Sequence, residues 1–253
     1  MDIEREASTG LTFPGSFALI ANRYFYEYGN VLEEMAMVSV NSHRNALLNP
    51  HAQLQKQIDI DTVLNAPRIA DPLGLYDCSL ITDGAAFVVI SSRPTGADRK
   101  IMVSGIGHGG DALTLQGKSS ITEFAATKRA SARAYEQAGM SPQDIDLAEV
   151  HDCFSITQII NIEDLGFVEK GKGASAVRDG EIALEGRIPI NTSGGLKAKG
   201  HPIGATGICQ IVEVATQLRG NAGPRQIAEA NVGITHNLGG TAATCVVTIL
   251  EGE

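Results

Sequence analysis

The 253-residue sequence predicts an α/β fold built on a mixed sheet, and three features support this fold class. From residue 93 onward, short apolar runs typical of strands alternate with longer amphipathic segments typical of helices. The glycine-rich stretch NTSGGLKAKGHPIGATG, residues 191–207, joins one such strand to one such helix. Two β-rich runs, residues 228–235 and 242–250, flank the turn-prone HNLGGT and predict a hairpin. Together these features predict a βαβαβαββ unit with a mixed five-stranded sheet.

The segment ahead of residue 93 is predicted to be mostly helical. Aromatic and aliphatic residues recur every three or four positions from Thr9 to Gly29, which predicts one helix. A second helix is predicted from Val31 to Leu48, because the following Pro50 cannot continue it. Residues 58–75 contain two prolines and a glycine and predict an irregular connection. Residues 85–90, AAFVVI, then predict a short buried strand.

Turn-rich residues 93–100 mark the predicted domain boundary. They divide the chain into an incomplete unit, residues 1–92, and a complete α/β unit, residues 93–253. Before the hairpin, the strands of the second unit are predicted at 101–107, 145–150 and 188–191.

Three helices are predicted between these strands. Ser120 and Glu123 have the spacing of a capping box before a helix that ends near Gly139. A stripe of isoleucines predicts a second helix that ends at Gly166. The third helix follows the glycine-rich stretch, and we expect its apolar stripe to face the sheet. That stripe consists of Ile208, Ile211, Val212, Ala215 and Leu218.

Composition and charge exclude several classes of function. The net charge of -9 argues against a broad nucleic-acid footprint, which requires clustered Lys and Arg. Hydrophobic residues make up 43%, too many for disorder, yet no run approaches the roughly 20 apolar residues that cross a bilayer. The N-terminal MDIEREASTG has no secretory pattern, and four cysteines without a disulfide framework fit a reducing compartment. We therefore expect a globular cytoplasmic protein that binds neither nucleic acid nor membrane.

Three polar motifs directly follow predicted strands. HDCF, residues 151–154, follows the second strand, and GHP, residues 200–202, follows the third. HNLGG, residues 236–240, follows the fourth. Ligands of open α/β sheets bind beyond the carboxyl ends of the strands. The order and direction of the strands therefore predict that the three loops converge on one substrate.

His201 is the first candidate for a catalytic residue. It stands between Gly200 and Pro202, so its backbone is free on one side and restricted on the other. A neutral imidazole has one donor and one acceptor nitrogen and a pKa near physiological pH, which suits a general base. The alternative is a loop histidine that satisfies backbone groups.

His151 and Cys153 form the second candidate pair. They are two residues apart after a strand and are predicted to point to the same side. This suits a hydrogen-bond donor beside a proton carrier, although a thiol can act so only where its neighbours favour the thiolate. The alternative is a strand cap beside a small buried residue. Zinc is a further alternative with His201 and His236, but without CxxC or HxxxH spacing we expect no metal.

The stretches HDCF and NTSGGLKAKGHPIGATG resemble active-site motifs of the thiolases, specifically the sterol-carrier-type thiolases and the archaeal acetyl-CoA acetyltransferases. The resemblance extends over nearly all of the chain. It implies the C-terminal half of the thiolase fold, preceded by the loop region and the last strand of the N-terminal half. The implied activity is that of an acetyl-CoA C-acetyltransferase, which condenses acyl-CoA thioesters or cleaves 3-ketoacyl-CoA by thiolysis. Coenzyme A thioester is then the substrate, and no separate cofactor is expected.

The resemblance also implies roles for individual residues. His201 activates the nucleophilic cysteine and donates an N–H to an oxyanion hole, while His151 stabilises a developing enolate oxygen. Cys153 is the acid/base for the α-proton, and the backbone N–H of Gly239 contributes to a second oxyanion hole. Asn237 takes the position of a cysteine that other thiolases carry; the rival interpretation is a simple hairpin turn. Contacts with coenzyme A are expected from Ser193, Gly194, Lys197 and Asn237.

The nucleophilic cysteine of the family is expected on a segment that precedes Met1. Cys78 precedes a predicted strand rather than a helix N-terminus, and Cys209 and Cys245 are expected to pack in the core or on a helix face. Three explanations stay open: a longer natural thiolase, a second chain that supplies the N-terminal half, or a non-catalytic acyl-CoA-binding or assembly subunit. We expect association with copies of itself or with that second chain. The resemblance adds a small OB-fold, zinc-ribbon protein as a partner.

Overall fold

The computed structural model describes residues 2–93, 96 and 99–253. These residues form a mixed α/β fold with a four-stranded mixed sheet and a separate two-stranded antiparallel sheet. None of the helices in the described part of the chain is long and apolar enough to span a membrane. The predicted boundary at 93–100 falls partly on residues outside this description, so the division of the chain at residue 93 stays a prediction.

Both predicted N-terminal helices are present, as α1, Phe13–Tyr28, and α2, Leu32–Leu47. The Thr12 side chain caps α1 by accepting a hydrogen bond from a first-turn backbone N–H. On the buried face of α1, the Phe17 ring stacks on the Phe154 ring with 4.5 Å between the ring centroids. This contact ties the first helix to the HDCF motif.

The connection after α2 contains one short helix and the small sheet. They are α3, Ile60–Leu64, and the antiparallel pair β1, Arg68–Ala70, and β2, Leu73–Gly74. The predicted strand at 85–90 is wrong: these residues pair with no strand in the described chain, and Phe87 is 86% exposed. Their side chains favour a strand, but no neighbouring strand offers backbone hydrogen bonds.

The main sheet has the strand order β3–β6–β5–β4. Its strands are β3, Ile101–Gly110, β4, Leu147–Val150, β5, Val232–Gly239, and β6, Thr244–Gly252. β6 is antiparallel to both of its neighbours, whereas β4 is parallel to β5. The predicted fifth strand at 188–191 is only an isolated bridge between Ile190 and Ala148, so five strands are corrected to four. The extended run ends there because Asn191 has a left-handed φ of 54°.

The predicted hairpin is present between β5 and β6, but its turn lies later than predicted. His236 and Asn237 are paired inside β5, opposite Val247 and Val246. The chain reverses at residues 240–243, where Gly240 has a left-handed φ of 61°. His236 is consequently held by a strand rather than by a turn.

Helix α4, Ala125–Ala138, lies directly on β3 because alternate residues of that strand are glycines. A Cβ atom on Gly107 would lie 1.9 Å from the carbonyl oxygen of Ala130. Gly105 and Gly109 meet α4 in the same way, at 2.2 Å and 2.1 Å from backbone oxygens. The close approach therefore requires glycine at these strand positions.

The predicted capping box of α4 is wrong. Ser120 and Glu123 lie too far ahead, since the helix begins at Ala125 with Phe124 as its N-cap residue. The Phe124 N–H donates instead to a carboxylate oxygen of Asp164, at 2.6 Å. Asp164 is the last residue of α5, Ser155–Asp164, the helix that the isoleucine stripe predicts. The carboxylate of Asp164, which is distant in sequence, therefore satisfies a backbone N–H at the start of α4 in place of a local capping side chain.

The third predicted helix is α7, Thr206–Leu218, which follows a short α6, Gly173–Arg178. The expectation that its apolar stripe faces the sheet is wrong, because Val212 is 41% exposed and the buried face is largely polar. That buried face consists of Thr206, Gln210, Glu213, Val214, Gln217 and Leu218. The polar members lie inward because they have buried partners, such as Arg225 for Glu213.

Candidate active site

The histidines of the three polar motifs lie together at one corner of the sheet, although His236 belongs to β5 rather than to a loop. Convergence of the motifs on one substrate stays a prediction. The rings of His151 and His201 are in contact, with 5.2 Å between their centroids and an angle of 85° between their planes. The His151 backbone N–H points to Nδ1 of His236, at 3.4 Å. His236 lies opposite Val150 in the parallel pairing of β4 with β5, so the sheet register places it beside the HDCF motif.

His201 is held in place by hydrogen bonds from its backbone and its ring. Its backbone N–H donates to Oγ1 of Thr82, at 2.9 Å, and its Nδ1 lies 2.7 Å from Oγ1 of Thr206. The Thr206 hydroxyl donates its own hydrogen to the carbonyl oxygen of Pro202, at 3.1 Å. In the tautomer in which Thr206 accepts from His201 Nδ1–H, the lone pair on Nε2 is free. Burial and the Lys199 charge lower the pKa of His201 and favour this neutral form.

His151 is buried beside His201, and its Nδ1 atom has no hydrogen-bond partner among the described residues. Burial lowers its pKa well below the usual range, with smaller contributions from His201, His236 and Lys199. Its carbonyl oxygen accepts from the Asn161 side chain, at 3.0 Å, so the backbone of this turn is fixed. A neutral, fixed imidazole with an unused nitrogen is suited to hydrogen-bond a substrate oxygen.

His236 contacts the backbone of His151 and is itself fixed by hydrogen bonds. Because its Nδ1 faces the His151 N–H, its hydrogen lies on Nε2, which donates to Oγ1 of Thr127 at 3.0 Å. Burial lowers the pKa of His236 to about 3, so it stays neutral. Its carbonyl oxygen accepts from the Gln210 side chain of α7, at 3.0 Å, which links β5 to the helix after the glycine-rich stretch.

Glu149 anchors the start of the glycine-rich stretch. This residue of β4 is 1% exposed and accepts hydrogen bonds from the Ser193 N–H, at 3.0 Å, and the Ser193 hydroxyl, at 2.6 Å. The Thr192 hydroxyl lies 3.3 Å from Glu149 and 3.2 Å from Glu213, which forms an ion pair with Arg225. Burial, opposed by Lys199, raises the pKa of Glu149 to about 7.

A π-helix at Gly195–Lys199 connects this anchor to His201. Asp152 fixes its start by accepting the Leu196 N–H, at 2.8 Å. Gly195 is required there, because it has a left-handed φ of 61° and a Cβ atom would lie 2.4 Å from Oδ2 of Asp152. Residues of the HDCF motif and of the glycine-rich stretch therefore hold one another in place.

Three residues predicted to contact coenzyme A are turned inward. The Ser193 hydroxyl donates to Glu149. Gly194 packs against Ala46 of α2, and a Cβ atom at Gly194 would lie 2.7 Å from the Cβ atom of Ala46. Lys197 is 2% exposed, and its Nζ donates to the Asp77 carbonyl oxygen at 2.7 Å. The expected contact of Lys197 with coenzyme A is corrected, because this buried ammonium is not available to a phosphate. The fourth residue, Asn237, is half-buried and lies 3.4 Å from Gln210.

The two remaining catalytic candidates differ in their surroundings. Cys153 is 5% exposed within the core, where burial raises its pKa to about 12, and Lys197 is the nearby positive charge that favours the thiolate. Its Sγ atom lies 3.9 Å from Oγ1 of Thr157. Gly239 ends β5, and its carbonyl oxygen accepts the Ala243 N–H of the turn at 3.0 Å. Their proposed roles stay predictions.

An open cleft of about 440 Å³ lies next to His201. It is bounded by residues 82–86 on one side and residues 202–205 on the other. Within the described residues, no group of three or more His, Cys, Asp or Glu side chains is arranged to hold a metal ion.

Sequence reasoning missed Glu149 and Thr206. Glu149 could have been identified from the sequence, because it is a carboxylate inside the otherwise apolar strand LAEV and a buried carboxylate needs partners. Thr206 lies five residues after His201, beyond a loop whose path the sequence does not give. The buried Nζ atom of Lys199 is a further feature that only the structure shows.

The chain is similar to several known proteins. Residues 107–252 match the family described as thiolase C-terminal domain-like. The chain is 48% identical over 253 residues to an acetyl-CoA acetyltransferase of Methanothermobacter thermautotrophicus, covering 99% of this chain and 66% of the relative. It is 42% identical to an acetyl-CoA acetyltransferase of Methanocaldococcus jannaschii, covering all of this chain and 67% of the relative. The human sterol carrier protein 2 is 34% identical, with 94% of this chain and 45% of the relative covered.

Two solved structures share the fold. One is an Ltp2-ChsH2(DUF35) aldolase, with a TM-score of 0.82, 24% identity and coverage of 95% of this chain and 63% of the other. The second is a monomeric SCP2-thiolase-like protein from Mycobacterium smegmatis, with a TM-score of 0.70, 18% identity and coverage of 95% and 52%. The chain spans about two thirds of the length of its acetyltransferase relatives. From the matched C-terminal domain and this identity, the chain belongs to the thiolase family.

Proposed function

We propose that this chain supplies the base and oxyanion-binding half of an acetyl-CoA C-acetyltransferase, which condenses acyl-CoA thioesters or cleaves 3-ketoacyl-CoA. The observation that carries the proposal is the contact between the His201 ring and the His151 ring, whose Nδ1 has no hydrogen-bond partner among the described residues. One imidazole can take a proton from a thiol while the other stabilises the oxygen that becomes negative. The acetyl-CoA acetyltransferase relatives support this chemistry.

The nucleophile of this reaction comes from outside the 253 residues. Cys78, Cys153 and Cys245 all have pKa values raised by burial, which disfavours the reactive thiolate. Cys209 is the fourth residue of α7 and half-buried, so it lies within the helix rather than ahead of its N-terminus. The match covers only 66% of the Methanothermobacter relative, so the rest of that relative has room for a cysteine-bearing segment.

The exposed run at 81–90 is where we place the polypeptide that carries this cysteine. Ile81, Phe87, Val89 and Ile90 are between 80% and 98% exposed, and the run borders the cleft beside His201. Strand-forming residues without a partner strand are suited to pairing with a strand of another segment. A segment bound here lies next to the His201 imidazole. A second copy of the chain is the alternative partner for this surface.

Coenzyme A is proposed to enter along the cleft bordered by residues 202–205, and Asn237 is a further proposed contact. Ser193, Gly194 and Lys197 then position the loop from inside rather than touch the ligand. Cys153 is proposed to return the α-proton as a neutral thiol, and Gly239 to offer its N–H to the second oxyanion. An OB-fold, zinc-ribbon protein remains a proposed partner, supported by the DUF35 component named with one structural neighbour.

The test combines this chain with the segment of the Methanothermobacter relative that it does not span. The assembled protein should cleave acetoacetyl-CoA in the presence of coenzyme A, measured as loss of the substrate's enolate absorbance. His201→Ala should lower kcat by about 10²- to 10⁴-fold, because a positioned general base is lost. His108→Ala is the matched control, since that exposed histidine bonds only Thr244 and should leave turnover unchanged.

A second measurement tests the surface. Phe87→Asp should abolish co-purification of the added segment, whereas Tyr26→Asp, at an equally exposed position on α1, should not. Binding of acetyl-CoA without turnover in every assembly would favour the non-catalytic subunit instead. Equal turnover by the His201→Ala protein would remove the proposed role of this histidine.

A further inference from the structure

Thr82 and Gly84 contact the GHP motif from outside the glycine-rich stretch. The Thr82 hydroxyl accepts the His201 backbone N–H at 2.9 Å. A Cβ atom on Gly200 would lie 2.8 Å from Oγ1 of Thr82, and a Cβ atom on Gly84 would lie 3.1 Å from the Pro202 ring. Within the described residues, the bond to Thr82 is the only hydrogen bond that joins the backbone of this motif to a residue outside the glycine-rich stretch. The position of the His201 backbone therefore depends on Thr82.

The Thr82 hydroxyl acts as both an acceptor and a donor. It accepts from His201 and donates its own hydrogen to Oε1 of Gln53. The Gln53 backbone N–H donates in turn to the carbonyl oxygen of Lys199, at 3.0 Å. Because Lys199 lies two residues before His201, these bonds close a ring around the start of the GHP motif. A side chain without a hydroxyl at position 82 would remove two bonds of this ring.

Thr82 also lies where the chain loses its backbone contacts with the rest of the fold. Just before it, the Ser79 N–H donates to the Cys153 carbonyl oxygen at 2.9 Å, and the Leu80 N–H donates to a carbonyl oxygen of the π-helix at 3.3 Å. After Leu80, no backbone N–H of residues 81–90 has an acceptor in the described part of the chain. Thr82 is therefore the link between the exposed run and the base.

We propose that Thr82 is a positioning residue that couples binding of the cysteine-bearing segment on residues 81–90 to the position of His201. The inference rests on the proposed function, which places that segment on the same run. A strand of the added segment that pairs with the run supplies its missing backbone hydrogen bonds and restricts the motion of Thr82. This restriction fixes the His201 N–H. His201 is consequently held most firmly when the thiol that it deprotonates is bound.

The first measurement is amide hydrogen exchange of the 253-residue chain by NMR, without any thioester. Thr82→Val removes the acceptor of the His201 N–H and should speed its exchange by about fivefold, the equivalent of one hydrogen bond. Thr82→Ser keeps the hydroxyl and should exchange as the unaltered protein does. Thr216→Val is the control, because the Thr216 hydroxyl bonds a carbonyl oxygen of its own helix. The Leu196 N–H, which donates to Asp152, is the internal reference.

The second measurement repeats the exchange after addition of the segment of the Methanothermobacter relative that this chain does not span. Binding should slow exchange of the His201 N–H in the unaltered and Thr82→Ser proteins. In Thr82→Val this slowing should be lost, although the segment still co-purifies. The assembled Thr82→Val protein should also have a kcat lowered by up to about 10²-fold with KM little changed, because a misplacement of about 1 Å has such an effect.

Each outcome supports or overturns the inference. An unaltered His201 exchange rate in a folded Thr82→Val chain would overturn the positioning role, and Thr82→Ala repeats the test if the Val variant does not fold. Equal slowing in the Val and unaltered proteins on binding, or slowing in neither, would overturn the coupling. If exchange slows as expected but acetoacetyl-CoA is not cleaved, the proposed function fails while this inference stands. Cleavage without any slowing gives the reverse result.

Discussion

Replacing Glu149 with Gln should remove much of the pH dependence of folding stability. Glu149 is 1% exposed and bonds Ser193 twice, yet burial raises its pKa from 4.5 to about 7. Between those pH values the folded protein holds a proton that the unfolded chain has released. The stability that this proton provides is therefore complete below pH 4.5 and is lost as the pH rises through about 7.

The size of the effect follows from the distance between the two pKa values. They differ by about two and a half pH units, and each unit corresponds to about 1.4 kcal/mol. The unaltered protein should therefore lose about 3 kcal/mol of unfolding free energy between pH 4.5 and pH 7 through this group. Gln cannot ionise, so Glu149→Gln should lack this loss. Asp164, whose burial raises its pKa to about 6, contributes in both proteins and cancels in the comparison.

Urea unfolding at several pH values between 4.5 and 8 measures this difference. The control is Glu185→Gln, because the Glu185 side chain is 77% exposed and should behave as the unaltered protein does. If Glu149→Gln and the unaltered protein lose stability in parallel over this range, Glu149 is not the proton-binding group. The account of the anchored glycine-rich stretch would then be refuted.

Two further substitutions test the packing that holds the site. Gly107→Ala should destabilise the protein by about 3 kcal/mol or more, because its Cβ would lie 1.9 Å from a carbonyl oxygen of α4, whereas Gly110→Ala has open space and should cost little. Thermal unfolding of the two variants distinguishes them. Tyr24→Phe should cost about 1–3 kcal/mol, since it removes the 2.5 Å hydrogen bond to buried Glu163. In urea unfolding, Tyr26→Phe at an 83% exposed position should match the unaltered protein, and an equal cost for both would contradict the role of Glu163.

The alternation of strands and helices was predictable because it depends on local periodicity. The helices α1, α2, α5 and α7 and the strands β3 and β4 lie near their predicted positions. The convergence of His151 with His201 was predictable as well, because strand order and direction place the loops at one rim. These features need no knowledge of distant contacts.

The remaining features depend on contacts that sequence does not give. Residues 85–90 have the composition of a strand, but a strand also needs a neighbour, and none is present in the described chain. The inward polar face of α7 depends on Arg225 and other buried partners rather than on periodicity. Lys197 was expected to contact coenzyme A, and only the structure shows that its ammonium donates to the carbonyl oxygen of Asp77.

The central claim is that His201 activates a cysteine carried by a segment outside these 253 residues. Intact-protein mass spectrometry of the assembled protein after exposure to acetoacetyl-CoA tests it most directly. The account predicts one acetyl group on the added segment, absent when its cysteine is replaced and absent in His201→Ala. An acetyl group on Cys78, Cys153, Cys209 or Cys245, or none on any chain of an assembled protein, would contradict the account.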